Sequence, residues 1–152
     1  MTLLFNQLKS DHPGFTFKKS AEFWWSASSN TVHLNTKSPE SPAFSLHELS
    51  HAILGHQGYT YDVDLIKIER DAWQYAVSEL ASKYGVTIDD KLIQDNLDTY
   101  REWLHARSRC PSCEATGLQS KDRFYRCLGC GTSWHANEAR ICSLRRYTRQ
   151  TK

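Results

Sequence analysis

The chain of 152 residues is 39% hydrophobic and 12% aromatic, which indicates a packed core and excludes a disordered protein. Its length fits one compact domain, or a small domain followed by a module that a metal ion stabilises. The net charge of +2 divides unevenly, because residues 1–105 hold 9 Lys/Arg and 14 Asp/Glu (−5), whereas residues 106–152 hold 10 and 3 (+7). We therefore expect an acidic body with a basic C-terminal module, which suits an anionic partner such as nucleic acid.

No segment of the sequence is long and hydrophobic enough to span a membrane, and residues 1–9 lack the architecture of a signal peptide. We expect a cytoplasmic protein with no membrane partner, whose first residues form a short packing segment. Four of the five cysteines fall in two Cys-x-x-Cys pairs, a spacing that favours metal over disulfides in a chain without an export signal. The fifth, Cys142, is expected to be a buried or half-exposed thiol without a catalytic role.

The first forty residues predict β structure, with strand-like composition at residues 15–17, 22–26 and 31–34. A cluster of turn residues separates the last two stretches, which predicts a hairpin. Helical periodicity and end signals then predict three helices. They are expected at about residues 42–54, 64–84 and 88–107, with Gly55 ending the first of them.

The first predicted helix carries the pattern His-Glu-x-x-His at residues 47–51. His47 and His51 lie four residues apart and therefore on one helix face, where both can bind one zinc ion, and Glu48 can reach a water on that zinc. Leu46, Leu49, Ala52 and Ile53 supply the apolar face that such a helix needs. The ordinary alternative is a helix with two solvated histidines.

A catalytic zinc usually takes three protein ligands and leaves one position open, so a third ligand must come from elsewhere. Glu69 lies eighteen residues after His51, a separation that accommodates a turn and the start of a returning helix. Asp71 points about 200° around that helix from Glu69, so only one of the two should face the zinc. Asp64 is a further alternative, and a solvated helix carboxylate is the ordinary interpretation of Glu69. His56 follows the predicted helix end and suits a loop position or a hydrogen bond to a ligand better than ligation.

These stretches resemble the ImmA/IrrE-type metallopeptidases, whose pattern is a helix similar to H-E-L-x-H-x-x-L-G-H followed by E-x-E-A-x-x-F-A. Here the two stretches are residues 47–56 (HELSHAILGH) and 69–76 (ERDAWQYA), and the strand at residues 30–35 resembles the family's edge strand. The resemblance covers about residues 20–85. Asp71 stands where the family has a second Glu, and Trp73 stands where a small polar residue is usual. These departures affect subfamily and substrate more than the metal site.

The resemblance implies a small glutamate-zincin (gluzincin) of α+β fold, with zinc bound by His47, His51 and Glu69. The implied activity is that of a zinc-dependent endopeptidase acting on a protein substrate such as a DNA-associated regulator. Zinc lowers the pKa of its bound water, and Glu48, as general base, takes the proton and passes it to the leaving amine. A side-chain donor usually helps to stabilise the oxyanion, and the candidates are Tyr59, Tyr61, His56 and Arg70.

The C-terminal region contains two Cys-x-x-Cys knuckles separated by thirteen residues, at Cys110, Cys113, Cys127 and Cys130. This spacing is typical of a closed structural zinc site in a zinc ribbon, whose folding energy comes from the metal. Strands are predicted at residues 123–126 and 132–135. We therefore expect a zincin-like metallopeptidase domain at residues 1–106, built from an N-terminal hairpin or sheet and three helices. A zinc ribbon with a basic tail should follow at residues 107–152, and the chain should bind one catalytic and one structural Zn²⁺.

Basic and aromatic side chains are interleaved in the ribbon, which suits contact with nucleic-acid backbones and bases. They are Lys121, Arg123, Phe124, Tyr125, Arg126 and Trp134, followed in the tail by Arg140, Arg145, Arg146, Arg149 and Lys152. A solvated surface around a ribbon that docks on a protein is the alternative. Two other functions stay open: a nucleic-acid- or protein-binding ribbon protein with an inactive or latent zincin scaffold, and a SprT-like DNA-associated protease, which has a similar plan.

Overall fold

A computed structural model describes residues 2–138 and 144–148. The fold is mixed α+β, as the sequence predicts. Its elements in chain order are α1 (Thr2–Asp11), β1 (Thr16–Lys19), β2 (Trp24–Ser26), β3 (Thr31–Leu34), α2 (Ser41–Ile53), α3 (Asp62–Tyr75), a π-helical turn (Ala76–Leu80), α4 (Ala81–Tyr84), α5 (Asp90–Ser108), β4 (Leu118–Lys121), β5 (Phe124–Arg126), β6 (Ser133–Ala136) and β7 (Arg146–Thr148). No helix in the described part of the chain combines the length and hydrophobicity needed to cross a bilayer.

The chain forms two compact units. The first comprises Met1–Gly58 and Ile68–Ile93, and the second comprises Tyr59–Lys67 and Gln94–Lys152. Helices α3 and α5 therefore each contribute residues to both units. The domain boundary predicted between residues 106 and 107 stays a prediction.

The first unit contains a three-stranded sheet in the order β1-β3-β2. β2 and β3 form the predicted hairpin, whereas β1 pairs with β3 in parallel. The expectation that the strand at residues 30–35 resembles an edge strand is wrong, because β3 lies in the middle of the sheet. Its side chains fit that position: Thr31, Val32 and Leu34 are buried. The strand at the exposed edge of the hairpin is β2.

The first eleven residues differ from the predicted β structure, since most of them belong to helix α1. Phe5 and Leu8 lie three residues apart on one helix face and are buried. The Phe5 ring packs edge-on against Phe17 of β1, with ring centroids 6.4 Å apart. The segment does pack against the core, as expected of the first residues, but it does so as a helix.

Helix α2 is buried along nearly its whole length and forms the centre of the first unit. Pro42 lies in its first turn, where a missing N–H costs little, and Gly55 follows its end with φ +66°. The hydroxyl of Ser41 donates a hydrogen bond to the carbonyl of Asn35 instead of capping the helix. The core around α2 contains Phe5, Leu8, Phe17, Val32, Leu34, Leu46, Leu49, Ala52, Ala76 and Leu80.

The second unit contains a four-stranded antiparallel sheet in the order β4-β5-β6-β7, which includes both strands predicted for the ribbon. Tyr125 and Trp134 stack across β5 and β6 with ring centroids 5.6 Å apart. The backbone passes close to the indole at Gly117, where a Cβ would overlap the Trp134 ring. Cys142, Arg140, Arg149 and Lys152, which the sequence singled out, lie outside the described residues.

A buried ion pair that the sequence did not predict stabilises the second unit. Helix α3 begins at Asp62, two residues earlier than expected, and both Asp62 and Arg107 are 2% exposed. Arg107 Nε donates to Asp62 Oδ2 over 2.8 Å, and the Tyr125 hydroxyl donates to the same oxygen. Burial and the neighbouring carboxylate raise the pKa of Tyr125. The carboxylate is therefore satisfied by two donors from distant parts of the sequence.

Candidate metal centres

The structure brings His47, His51 and Glu69 together in the first unit. The two Nε2 atoms lie 3.1 Å apart, and Glu69 Oε2 lies 3.0 Å from His47 Nε2 and 3.6 Å from His51 Nε2. All three residues are buried, with 3%, 7% and 6% exposure respectively. These atoms form a group that could hold a metal ion.

The spacing of the three atoms fits a small tetrahedral ion. Nitrogen and oxygen ligands at about 2.05 Å from a tetrahedral zinc lie about 3.3 Å from each other. The observed edges of 3.0, 3.1 and 3.6 Å bracket that value. The three residues therefore fit one face of a zinc tetrahedron, with the fourth position left for a non-protein ligand.

The protonation states of these groups also suit a metal ligand set. Burial lowers the pKa of His47 to about 4, so its imidazole is neutral near pH 7. Burial alone would raise the pKa of Glu69, but hydrogen bonds from His47 and His51 outweigh burial and lower that pKa to about 2. A neutral imidazole and an ionised carboxylate are the forms in which these side chains offer lone pairs to a metal.

His56 contacts the ring of His51, one of the three residues of this group. Its Nδ1 lies 2.9 Å from Nδ1 of His51, while its ring is not among the atoms that could bind the metal. If Nε2 of His51 binds a cation, its Nδ1 carries the proton and donates to His56, which fixes the tautomer of both rings. The indole N–H of Trp25 donates to the His56 carbonyl over 2.8 Å and so fixes the loop that carries it. The outer hydrogen-bonding position suggested by the sequence is the one that His56 occupies.

Trp73 forms the other wall of the centre, a contact that the sequence reasoning missed. Its ring stacks on His47 with centroids 4.2 Å apart and an interplanar angle of 26°. Phe44 packs edge-on against the same indole at 5.4 Å. Nδ1 of His47 is buried and has no hydrogen-bond partner among the described residues, so aromatic packing fixes this imidazole. The one signal in the sequence was the departure of Trp73 from the pattern that this stretch resembles.

Glu48 follows His47 directly on α2 and is 9% exposed. The other carboxylates considered as ligands lie outside the group. Asp71 pairs with the exposed Arg70, whose Nη2 lies 3.1 Å from Asp71 Oδ1. Asp64 lies in the first turn of α3 and belongs to the second unit.

Of the candidate oxyanion donors, His56 contacts His51 and Arg70 contacts Asp71. Tyr59 and Tyr61 are 42% and 41% exposed and belong to the second unit. The structure thus brings together Glu69 with the two histidines, and neither Asp71 nor Asp64 is part of that group.

A cavity of about 560 Å³ lies beside the loop that carries His56. The two indoles of β2 and the peptide segments on either side line it: Trp24, Trp25, Ser26, Ala27, Ser28, His56, Gln57 and Gly58. Because β2 is an edge strand, its outer backbone groups are available for pairing with an extended peptide. The cavity is therefore lined in part by an edge strand that could pair with such a peptide.

The four cysteines form a second group in the other unit. The Sγ atoms of Cys110 and Cys130 lie 3.6 Å apart, those of Cys113 and Cys127 lie 3.5 Å apart, and all four lie within 4.8 Å of one another. Thiolates bound to zinc at about 2.3 Å lie about 3.8 Å apart, so this group also fits one tetrahedral ion. Hydrogen bonding with the side chain and backbone of Thr132 lowers the pKa of Cys130 to about 6, which favours the thiolate.

The described part of the chain thus contains two groups that could bind metal ions, one of four thiols and one of two imidazoles and a carboxylate. Searches of protein-family models, curated proteins and solved structures returned no match to this chain. The resemblance to ImmA/IrrE-type peptidases stays a prediction, and the function has to be argued from the two centres.

Proposed function

We propose that this chain is a zinc-dependent endopeptidase that hydrolyses peptide bonds in a protein substrate. The observation that supports the proposal is the convergence of His47, His51 and Glu69 on three atoms 3.0–3.6 Å apart, with Glu48 next in sequence to one ligand. Three ligands leave a fourth position open, whereas structural zinc sites are closed by four. Two imidazoles and a carboxylate suit zinc, and four thiols in the second centre suit a structural zinc in a reducing, cytoplasmic environment.

A zinc ion bound there would polarise the scissile carbonyl and make a water molecule acidic near neutral pH. Glu48 accepts the proton of the attacking water and later transfers it to the leaving amine, which is the task of a general base that becomes a general acid. The burial of Glu48 limits competing water around its carboxylate. His56 orients His51, and Trp73 fixes the plane of His47, so both imidazoles keep the angle that ligation needs.

The substrate is proposed to bind as an extended segment along the edge strand β2. Backbone pairing of this kind is independent of sequence, and selectivity then comes from the side-chain pockets. The cavity beside Trp24 and Trp25 is lined by neutral side chains and two indoles. It therefore favours an uncharged, apolar or aromatic substrate side chain over a charged one.

The experiment that tests the proposal compares the zinc-loaded full chain with its Glu48→Gln variant. Metal analysis measures zinc per chain, and cleavage is followed on unfolded casein and on a library of quenched fluorescent peptides. The parent should bind two zinc ions and cleave, whereas Glu48→Gln should retain both ions and lose about 10²- to 10⁴-fold in turnover, the usual contribution of a general base. Glu69→Gln should lose one of the two ions.

Glu79→Gln is the matched control, because Glu79 is an exposed carboxylate on the π-helical turn and the charge change is the same. Its zinc content and turnover should equal those of the parent. Cleavage by Glu48→Gln at the parent rate would contradict the proposed role of Glu48. A parent with two zinc ions that cleaves no peptide in the library would indicate a binding protein built on a zincin scaffold.

A further inference from the structure

The outer face of the four-stranded sheet carries a continuous row of side chains across all four strands. The register pairs Lys121 of β4 with Phe124 of β5, Phe124 with His135 of β6, and His135 with Tyr147 of β7. Residues directly opposite each other in antiparallel strands point to the same face. Tyr125 and Trp134, which alternate with this row, are buried on the other face. The row therefore points outward.

The first three members of the row contact each other in sequence, and His135 pairs with Tyr147 in register. Lys121 Nζ lies 4.6 Å from the centroid of the Phe124 ring, within the range of a cation–π contact. The Phe124 and His135 rings lie 4.7 Å apart at 49°. Tyr147 is 51% exposed although it is one of the largest side chains on this face. A cross-strand row of three rings that begins with a cation, half-buried at Phe124 and His135 and exposed at Tyr147, suits contact with flat aromatic partners.

The row forms one wall of a groove of about 300 Å³. The described residues that line it include two cations and no carboxylate: Ser120, Lys121, Phe124, Tyr125, Arg126, Ser133, Trp134, His135 and Tyr147. The groove belongs to the part of the sequence with a charge balance of +7. Aromatic faces and positive charge in one groove are complementary to a partner that has both planar rings and negative charge.

We propose that this face binds single-stranded polynucleotide, with bases stacked on Phe124, His135 and Tyr147 and phosphates held by Lys121 and Arg126. The inference is independent of the peptidase activity. Base faces are exposed only in single strands, because in a duplex each base is stacked between its neighbours and only edges are accessible. Charge alone would serve a duplex equally well, so the row of rings is what favours a single strand.

The test uses the full chain loaded with zinc and fluorescence anisotropy of labelled oligonucleotides of about 12 nucleotides, within the usual site size for such grooves. The probes are oligothymidylate, oligouridylate and a DNA duplex of the same length. The single strands should bind at least about 5-fold more tightly than the duplex, and comparison of the first two probes identifies DNA or RNA as the preferred strand. Two phosphate contacts predict a slope of log affinity against log salt of about −1.4, and Lys121→Gln should reduce it by about 0.7.

Ring removal separates stacking from charge. Tyr147→Ala and Phe124→Leu should each weaken single-strand binding about 5- to 100-fold, whereas Tyr147→Phe, which keeps the ring, should bind like the parent. Lys37→Gln removes an exposed cation outside this face and should leave affinity unchanged. Zinc content equal to that of the parent verifies that each variant retains its metal centres.

Absence of binding to either single strand at low salt would overturn the proposal. Equal affinity for single strand and duplex, with Tyr147→Ala without effect, would overturn it too, because the surface would then be an unspecific cationic patch. If a protein binds this face and no oligonucleotide does, the face would be assigned to a protein partner instead.

Discussion

The burial of His47 makes a quantitative prediction for the metal-free protein. The side chain is 3% exposed, and burial lowers its pKa from 6.5 to about 4. Between these two values the unfolded chain binds a proton at this imidazole that the folded chain does not. Acidification therefore favours unfolding in this window, and the stability contributed by a neutral His47 is present above pH 6.5 and lost as the pH falls towards 4.

The expected size follows from the shift. Each pKa unit corresponds to 1.36 kcal/mol, so a shift from 6.5 to about 4 amounts to about 3 kcal/mol of unfolding free energy. In a chain of this length 1 kcal/mol moves the melting temperature by about 2–4 °C. Removal of the imidazole by His47→Gln should therefore reduce the loss of melting temperature between pH 7.5 and 4 by roughly 6–12 °C.

The assay is thermal unfolding of the parent and of His47→Gln in the presence of a chelator, at several pH values from 7.5 to 4. The metal-free ribbon affects both proteins alike, so the difference between them reports the loss of the His47 imidazole together with its hydrogen bond to Glu69. An NMR titration of the His47 ring gives its pKa directly. Equal pH dependence of the two proteins, or a ring that titrates near 6.5, would refute the reasoning.

Three further predictions concern other parts of the structure. Replacement of Arg107 by Met leaves Asp62 buried beside the Tyr125 hydroxyl alone, and should lower the free energy of unfolding in urea by about 3–5 kcal/mol. Gly117→Ala brings a methyl group onto the buried indole described above and should destabilise the ribbon by about 1–3 kcal/mol, measured as faster zinc release to a chelator. Gly14→Ala, with nothing within 4 Å of the new Cβ, should not do so. His56→Ala should weaken zinc binding at the three-ligand centre about 10- to 100-fold without changing the thiol centre, as competition titration with a chromophoric chelator would show.

Most residues of the two candidate metal centres were predictable because their signals are local. One signal is a pair of histidines four residues apart on a helix, and the other is a pair of Cys-x-x-Cys sequences. Each places its side chains close together within a few consecutive residues. From spacing alone Glu69 was predictable only as one of several carboxylates, and the resemblance singled it out, since its contact with His47 joins residues twenty-two positions apart. The choice over Asp71 and Asp64 required the path of the chain between α2 and α3.

The features that the sequence did not predict depend on contacts between residues that lie far apart in the chain. The parallel contact of β1 with β3 has no turn signature, and the ion pair of Asp62 with Arg107 joins residues forty-five positions apart. Helix α1 was missed for a different reason, because the β-rich composition of the following segment dominated the interpretation. Its two buried residues at i and i+3, Phe5 and Leu8, were the signal available.

The ion pair between Asp62 and Arg107 also determines where the chain can be divided into fragments. Asp62 lies in the first turn of α3, and its guanidinium partner lies near the end of α5. A cut after residue 106 would leave the carboxylate on one fragment and Arg107 on the other, each deprived of its counterion. A fragment beginning at residue 107 would retain all four cysteines of the candidate metal centre yet leave the Tyr125 hydroxyl without its acceptor. Point substitution in the intact chain is therefore the sound way to separate the two centres, whereas excision would perturb both halves at once.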